Sequence, residues 1–346
     1  MSDTTKNGPL AIVVPIRCRI MRRRRVKQLH CSLRSNGIAA IEAIEKGIVS
    51  VPYMIRAVRM DAKRDYKTGS VTSKDGTIIG YRQMGSGPGL IIMHGGLNAA
   101  QHFMKLGTAL SDAFTVYIPD RRGRGSSGPF GDNYGLQREV EDMDALLKRT
   151  GAHYLFGAAT GALIILQSSL TLSAIHKIAL YEPLLYIDKS AMDTFNAVVR
   201  RYDKEIADGK PIAAMVTVTQ ADEELSSTIK LPRLVLAILF TLILRIDAIR
   251  VKGDDVRLKA LLPTLRFDLQ LVNETEGMLE NFKGVSAEVL LLGGSKSPLL
   301  LKNSLEALRD VLPHVHRVEL PGLDHKSAAD WGKPKRVAQE LRAFFL

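Results

Sequence analysis

Tyr154-Leu155-Phe156-Gly157-Ala158-Ala159-Thr160-Gly161-Ala162-Leu163-Ile164-Ile165-Leu166 is the stretch from which the rest of the chain can be read. An apolar run enters, two glycines bracket three small residues, and a second apolar run leaves. That spacing predicts a strand, a sharp corner and a helix, with glycine where no bulkier neighbour fits. A corner of this kind lifts its middle side chain off the top of a sheet, and in a nucleophile elbow that side chain is Ser, Cys or Asp. Here it is Ala159. A methyl group cannot attack a carbonyl, so the frame for covalent chemistry comes without its nucleophile.

Working outward, Leu90-Ile91-Ile92-Met93 reads as a strand buried on both faces, ending at His94-Gly95-Gly96. A helix is expected over residues 99–111, then a strand over 114–119, closed by Asp120-Arg121-Arg122-Gly123-Arg124-Gly125. Residues 136–150 carry acids early, bases late and apolar residues at helical spacing, the pattern of an amphipathic helix. Ahead of these, residues 70–73 and 77–84 flank Asp75-Gly76 and read as a hairpin. Beyond the corner, a helix runs from Thr160 to about Leu172, and a strand over 177–181 ends at Glu182-Pro183.

Residues 184–284 lose the strand-helix alternation and read as helical throughout, with 231–246 the most apolar part. Arg233 and Arg245 leave an apolar run shorter than the ~20 residues a bilayer crossing needs, so no membrane span is expected. That helix reads as a lid facing a pocket. Alternation returns with a strand at 287–292, a helix at 301–312, a strand at 316–320 and a helix at 333–345. The expectation is an α/β fold: a mostly parallel, doubly wound sheet with a helical cap insertion. Residues 69–183 and 285–346 would form the core, 184–284 the cap, and 1–68 a basic, poorly ordered extension.

The charge supports that division. The chain of 346 residues carries +12, but residues 1–68 hold 15 Lys/Arg against 5 Asp/Glu, leaving 33 against 31 in the remainder. A nearly neutral body argues against a nucleic-acid partner. The apolar run 11–15 precedes Arg22-Arg23-Arg24-Arg25, the reverse of a secretory signal. The leader reads as a loose extension, as sequence upstream of a start at Met54 or Met60, or as an organellar transit peptide. Both cysteines, Cys18 and Cys31, lie in it, which fits a reducing compartment, and a cytoplasmic location is expected. The eight histidines show no His-x-x-x-His spacing, and the glycines at 85–89 precede a strand, so neither metal nor cofactor is expected.

His94-Gly95-Gly96, the arginine-rich loop after Asp120, the corner at Ala159 and a late His325 in Pro321-Gly322-Leu323-Asp324-His325 follow one another in order. In this the chain resembles the α/β-hydrolase superfamily over residues 70–346. The resemblance implies an oxyanion hole made by one main-chain N–H of the Gly95/Gly96 loop, Gly96 favoured, and by the N–H of Thr160. It implies His325 as general base. The usual acid slot follows the strand at 287–292, where Gly293-Gly294-Ser295-Lys296-Ser297 puts Ser297 in place of Asp. Some members carry the carboxylate one core strand earlier, which points to Glu182. Asp324 ranks second, because a sequence neighbour of His325 has difficulty reaching the far ring nitrogen. The loop from Asp120 to Arg124 is expected to brace the strand ends, and the Thr160 side chain to turn into the helix start.

Three readings remain open at this stage. The chain descends from a Ser hydrolase of small acyl or ester substrates and is impaired at Ala159. Alternatively His325 serves a lyase, isomerase or cofactor-free oxygenase reaction, or the cap and core enclose a pseudoenzyme pocket for a small apolar ligand. Substrate identity and oligomeric state have no signature in the chain.

Overall fold

The computed structural model describes residues 65–187, 189–221, 232–251 and 253–346. The extension expected over 1–68 lies outside them up to residue 64. The first strand, β1 (Lys67–Thr72), already takes in its last two residues, with Lys67 paired to Gln83 and Thr68 to Arg82.

Strand β1 and β2 (Ile78–Met84) form the hairpin around Asp75-Gly76, where Gly76 takes a φ of 86°. Then come β3 (Gly89–Met93), a 3-10 turn at Ala100–Phe103, α1 (Met104–Leu110), β4 (Thr115–Pro119) and α2 (Leu136–Thr150). The corner sequence supplies β5 (Tyr154–Ala158) and α3 (Thr160–Ser169), followed by β6 (Lys177–Tyr181). The helical stretch holds α4 (Lys189–Ala207), α5 (Pro211–Ala221), α6 (Arg233–Arg250), α7 (Leu258–Leu261) and α8 (Leu265–Asn273). No strand occurs among its described residues. The chain closes with β7 (Glu288–Gly294), α9 (Leu299–Val311), β8 (Val315–Leu320) and α10 (Pro334–Phe345).

The eight strands make one sheet in the order β1-β2-β4-β3-β5-β6-β7-β8. Strand β2 pairs antiparallel with β1 and β4, and every later pairing is parallel. Parallel strands need crossover helices, and these cover both faces of the sheet. Alternate residues of β3 show it: Ile91 and Met93 join one apolar core with α2, α3 and α9, whereas Leu90 and Ile92 join the other with α1 and α10. All four are buried. Helix α2 puts Glu139 in its first turn and Lys148 and Arg149 in its last, and stops at Gly151 with φ 63°.

The parallel register places the carboxyl ends of β3, β5, β6 and β7 side by side, and that edge is where ligands bind in open α/β sheets.

Candidate active site

Ala159 is the residue between β5 and α3, with φ 52° and ψ −121°. Few non-glycine residues hold a positive φ, and the neighbours maintain this one. The Ala159 N–H donates to the Tyr181 carbonyl at the end of β6 (3.0 Å). A Cβ at Gly161 would stand 2.4 Å from the Met93 carbonyl oxygen, and one at Gly157 would stand 2.6 Å from the Ala162 nitrogen. Both glycines are required by packing, and α3 starts tight against the end of β3. A Cβ at Gly95 would meet the Ala159 methyl at 2.9 Å, so the loop after β3 lies directly over the corner.

Glu182 stands at the neighbouring strand end, one residue beyond β6. It is fully buried, and it too has positive φ, 49°. Its N–H donates to the Leu292 carbonyl of β7 at 3.0 Å. Oε1 accepts from the Gly294 N–H at 2.6 Å and from the Ser297 hydroxyl, and Oε2 contacts His325 Nδ1 at 2.8 Å. A carboxylate oxygen accepts, so Nδ1 of His325 carries the proton and Nε2 is the basic nitrogen of the ring. Ser297, at the usual acid slot, thus contributes a hydrogen bond to the carboxylate held one strand away. Asp324 faces elsewhere: Oδ1 accepts from the Lys326 N–H and the Ser327 hydroxyl. The Tyr181 hydroxyl donates to the Asp324 carbonyl at 2.7 Å and ties the His325 loop to β6.

His94 opens the loop that carries Gly95 and Gly96. It is fully buried, and its Nε2 accepts the Arg121 N–H at 3.1 Å. A main-chain N–H can only donate, so the His94 proton sits on Nδ1, 3.0 Å from the Gly95 carbonyl oxygen. Burial, with Arg124 and Arg121 nearby, holds the His94 pKa well below its ordinary value, and the ring stays neutral.

The arginine loop divides its work. Arg122 pairs with Asp142 and Asp75 (2.6 and 2.5 Å), joining the loop to α2 and the hairpin turn. Arg121 and Arg124 face Asp268 of α8, at 2.6 and 2.5 Å. Arg121 also reaches Glu139 at 2.9 Å and the Tyr134 hydroxyl at 3.1 Å. Burial alone would raise the Asp268 pKa, but Arg124 and Arg121 outweigh it and hold the carboxyl below its ordinary value. Asp268 lies against the proposed oxyanion loop: a Cβ at Gly96 would come within 3.2 Å of its Oδ2.

The Thr160 hydroxyl differs from the sequence expectation. It donates to Asp268 Oδ1 at 2.8 Å and does not fold back on its own helix start, because a buried carboxylate is the stronger acceptor. Asp268 is the residue the sequence reading missed. Its one signal is position: an acid on the buried face of α8, beside Leu271 and Val272. With Arg121, Arg124 and Thr160 occupying both oxygens, Asp268 is held as an ion-pair hub and is a poor substitute nucleophile.

The strand ends therefore bring Glu182 against His325 and the Gly95/Gly96 loop over Ala159, whose N–H is bonded to the residue before Glu182. A buried carboxylate on Nδ1 orients the imidazole and leaves Nε2 as its basic nitrogen.

Comparison with known proteins agrees with this architecture. The model of the Alpha/beta hydrolase family matches residues 90–340. The 2-(acetamidomethylene)succinate hydrolase of Mesorhizobium japonicum is 24% identical over 260 residues, covering 71% of this chain and 84% of that protein. Among solved structures, an alpha/beta hydrolase from Sphaerobacter thermophilus is similar with a TM-score of 0.63 and 26% identity, over 80% of this chain and 100% of that one. The esterase RhEst1 from Rhodococcus sp. has a TM-score of 0.58 at 19% identity, over 81% and 98% of the two chains. This chain belongs to the alpha/beta hydrolase family.

Proposed function

We propose that this member of the alpha/beta hydrolase family derives from a Ser hydrolase of small acyl or ester-type molecules, with Ala159 standing at the nucleophile position. His325 is the general base, Glu182 orients it, and main-chain N–H groups of the Gly95/Gly96 loop and Thr160 form the oxyanion hole. Residues 184–284 act as the cap over the pocket, and Asp268 fixes that cap to the loop below it. The observation that carries this reading is the Glu182–His325 contact of 2.8 Å beside a corner whose non-glycine residue keeps φ 52°.

Removing an activated serine costs on the order of 10⁶ in turnover, and the residual rate over water comes from the oxyanion hole and binding. The chain is expected to hydrolyse esters only marginally. Ala159→Ser supplies the missing hydroxyl, and a panel of p-nitrophenyl esters should then show turnover that depends on His325. A folded Ala159→Ser protein that leaves the whole panel untouched contradicts the proposal.

A second reading has one observation in its favour. The Glu182–His325 pair is complete without any hydroxyl, and such a pair can take a proton from a bound substrate directly. In that case His325→Ala abolishes a turnover that the chain already has with Ala159 in place.

A further inference from the structure

Helix α6 is apolar on two opposite sides. Leu236, Phe240 and Ile243, spaced i, i+4, i+7, are buried. Leu234, Ile238, Leu242 and Ile249 form a second stripe on the far side, and they are exposed by 69%, 48%, 49% and 75%. At 100° per residue these four fall within a sector about 80° wide, and Arg245 lies inside it. Packing of the protein's own core accounts for the first stripe and leaves the second facing water.

The exposed stripe carries no acid. The helix's only acid, Asp247, is half-buried and accepts the Leu258 N–H through Oδ2 at 2.8 Å. Arg245 lies within the exposed stripe and is itself exposed, whereas Arg233, exposed at the amino end, falls by the same count about 140° from the middle of that stripe. Arg233 reaches only the Gln220 side-chain oxygen, at 2.9 Å, and no carboxylate among the described residues pairs with either arginine. The stripe therefore presents aliphatic side chains with one cation, Arg245, and no acid.

We infer that this face of α6 docks on an anionic lipid surface, with the helix lying along the plane of the headgroups. The aliphatic stripe enters the acyl boundary, and Arg245 extends to a lipid phosphate, as long cationic side chains do at interfaces. The geometry fits lying flat and excludes crossing, since no helix among the described residues is long and apolar enough to span a membrane. A second copy of the chain fits less well. The stripe is about 22 Å long and 10 Å wide, roughly 220 Å², against the ~800 Å² per partner of a stable protein interface. The inference does not depend on the chemistry at Ala159.

The test uses the full chain, because residues 1–68 carry +10 and could hold an anionic vesicle unaided. Leu242→Trp adds a reporter to the single native Trp331, against which the parent protein is the control. With vesicles of equal phosphatidylglycerol and phosphatidylcholine, emission of the variant should shift to the blue and be quenched by bromine-labelled acyl chains. Pure phosphatidylcholine should give neither effect, and 1 M salt should weaken both. Ile238→Asp combined with Leu242→Asp should reduce co-sedimentation with the anionic vesicles about tenfold or more at unchanged circular dichroism. The inference is overturned by an unquenched tryptophan on sedimenting protein, which assigns binding to the leader. It is overturned equally by undiminished sedimentation of the double variant, or by emission already blue-shifted without lipid, which means the stripe is covered by the chain itself or a second copy.

Discussion

Ala159 occupies a backbone conformation that costs a non-glycine residue on the order of 1–3 kcal/mol, yet alanine has no chemistry that would require it. The corner is imposed by its surroundings: the bond to the Tyr181 carbonyl and the closeness of Gly161 to Met93. The same reasoning applies to Glu182, whose positive φ delivers a fully buried carboxylate to His325 while Gly294 and Ser297 hold its other oxygen. In an Ala159→Ser background, Glu182→Gln should keep that geometry and remove the charge that stabilises an imidazolium. The expected outcome is a fall in kcat of about 10⁴ with KM little changed, read from steady-state ester kinetics. Ala159, Glu182 and His325 were legible in the sequence because each sits at or just past a strand end, where turn residues mark the place. Asp268 was not, since its partners Arg121, Arg124 and Thr160 lie more than 100 residues away and its own neighbours read as an ordinary amphipathic helix.

At the level of elements, the junction between β3 and α3 carries the site. With Gly161 against Met93 and Gly95 against Ala159, the helix start, the strand end and the loop cannot separate without losing the corner. Gly161→Ala puts a methyl 2.4 Å from the Met93 carbonyl oxygen, and backbone cannot yield as a flexible side chain would. Destabilisation of at least 1–3 kcal/mol is expected from overpacking, measured as a lowered urea midpoint at unchanged slope. The elements themselves were readable because buried parallel strands are near-continuous apolar runs, as Leu90-Ile91-Ile92-Met93 is. Their ends were less so. The helix after the corner stops at Ser169, three residues early, where Leu170 and Thr171 turn their N–H groups onto the carbonyls three residues back, Gln167 and Ser168, and tighten the last turn. The apolar content of helix α6 predicts a lid facing a pocket, but content alone could not reveal that four of its ten Leu, Ile and Val side chains face outward.

Across the whole molecule, buried charge joins the helical segment to the sheet. Asp268→Ala leaves Arg121 and Arg124 without their shared carboxylate, and a loss of about 3–5 kcal/mol is expected in denaturant unfolding. Asp330, on the loop that carries His325, sets a pH dependence. Burial pushes its pKa up to about 7 against the opposing main-chain N–H groups and Lys105, and its Oδ2 has no hydrogen-bond partner. The folded chain thus keeps a proton that the unfolded chain releases near pH 4, so this contribution is full below pH 4 and declines as pH rises to about 7. Asp330→Asn, still able to accept the Lys105 N–H, should raise the melting temperature at pH 8 and leave it unchanged at pH 4. The central claim is that Ala159 stands where a nucleophile belongs in an otherwise assembled site. Its most direct measurement is the intact mass of Ala159→Ser after exposure to a fluorophosphonate. The account predicts one adduct on residue 159, lost when His325→Ala is added. A folded Ala159→Ser protein that stays unlabelled would contradict it.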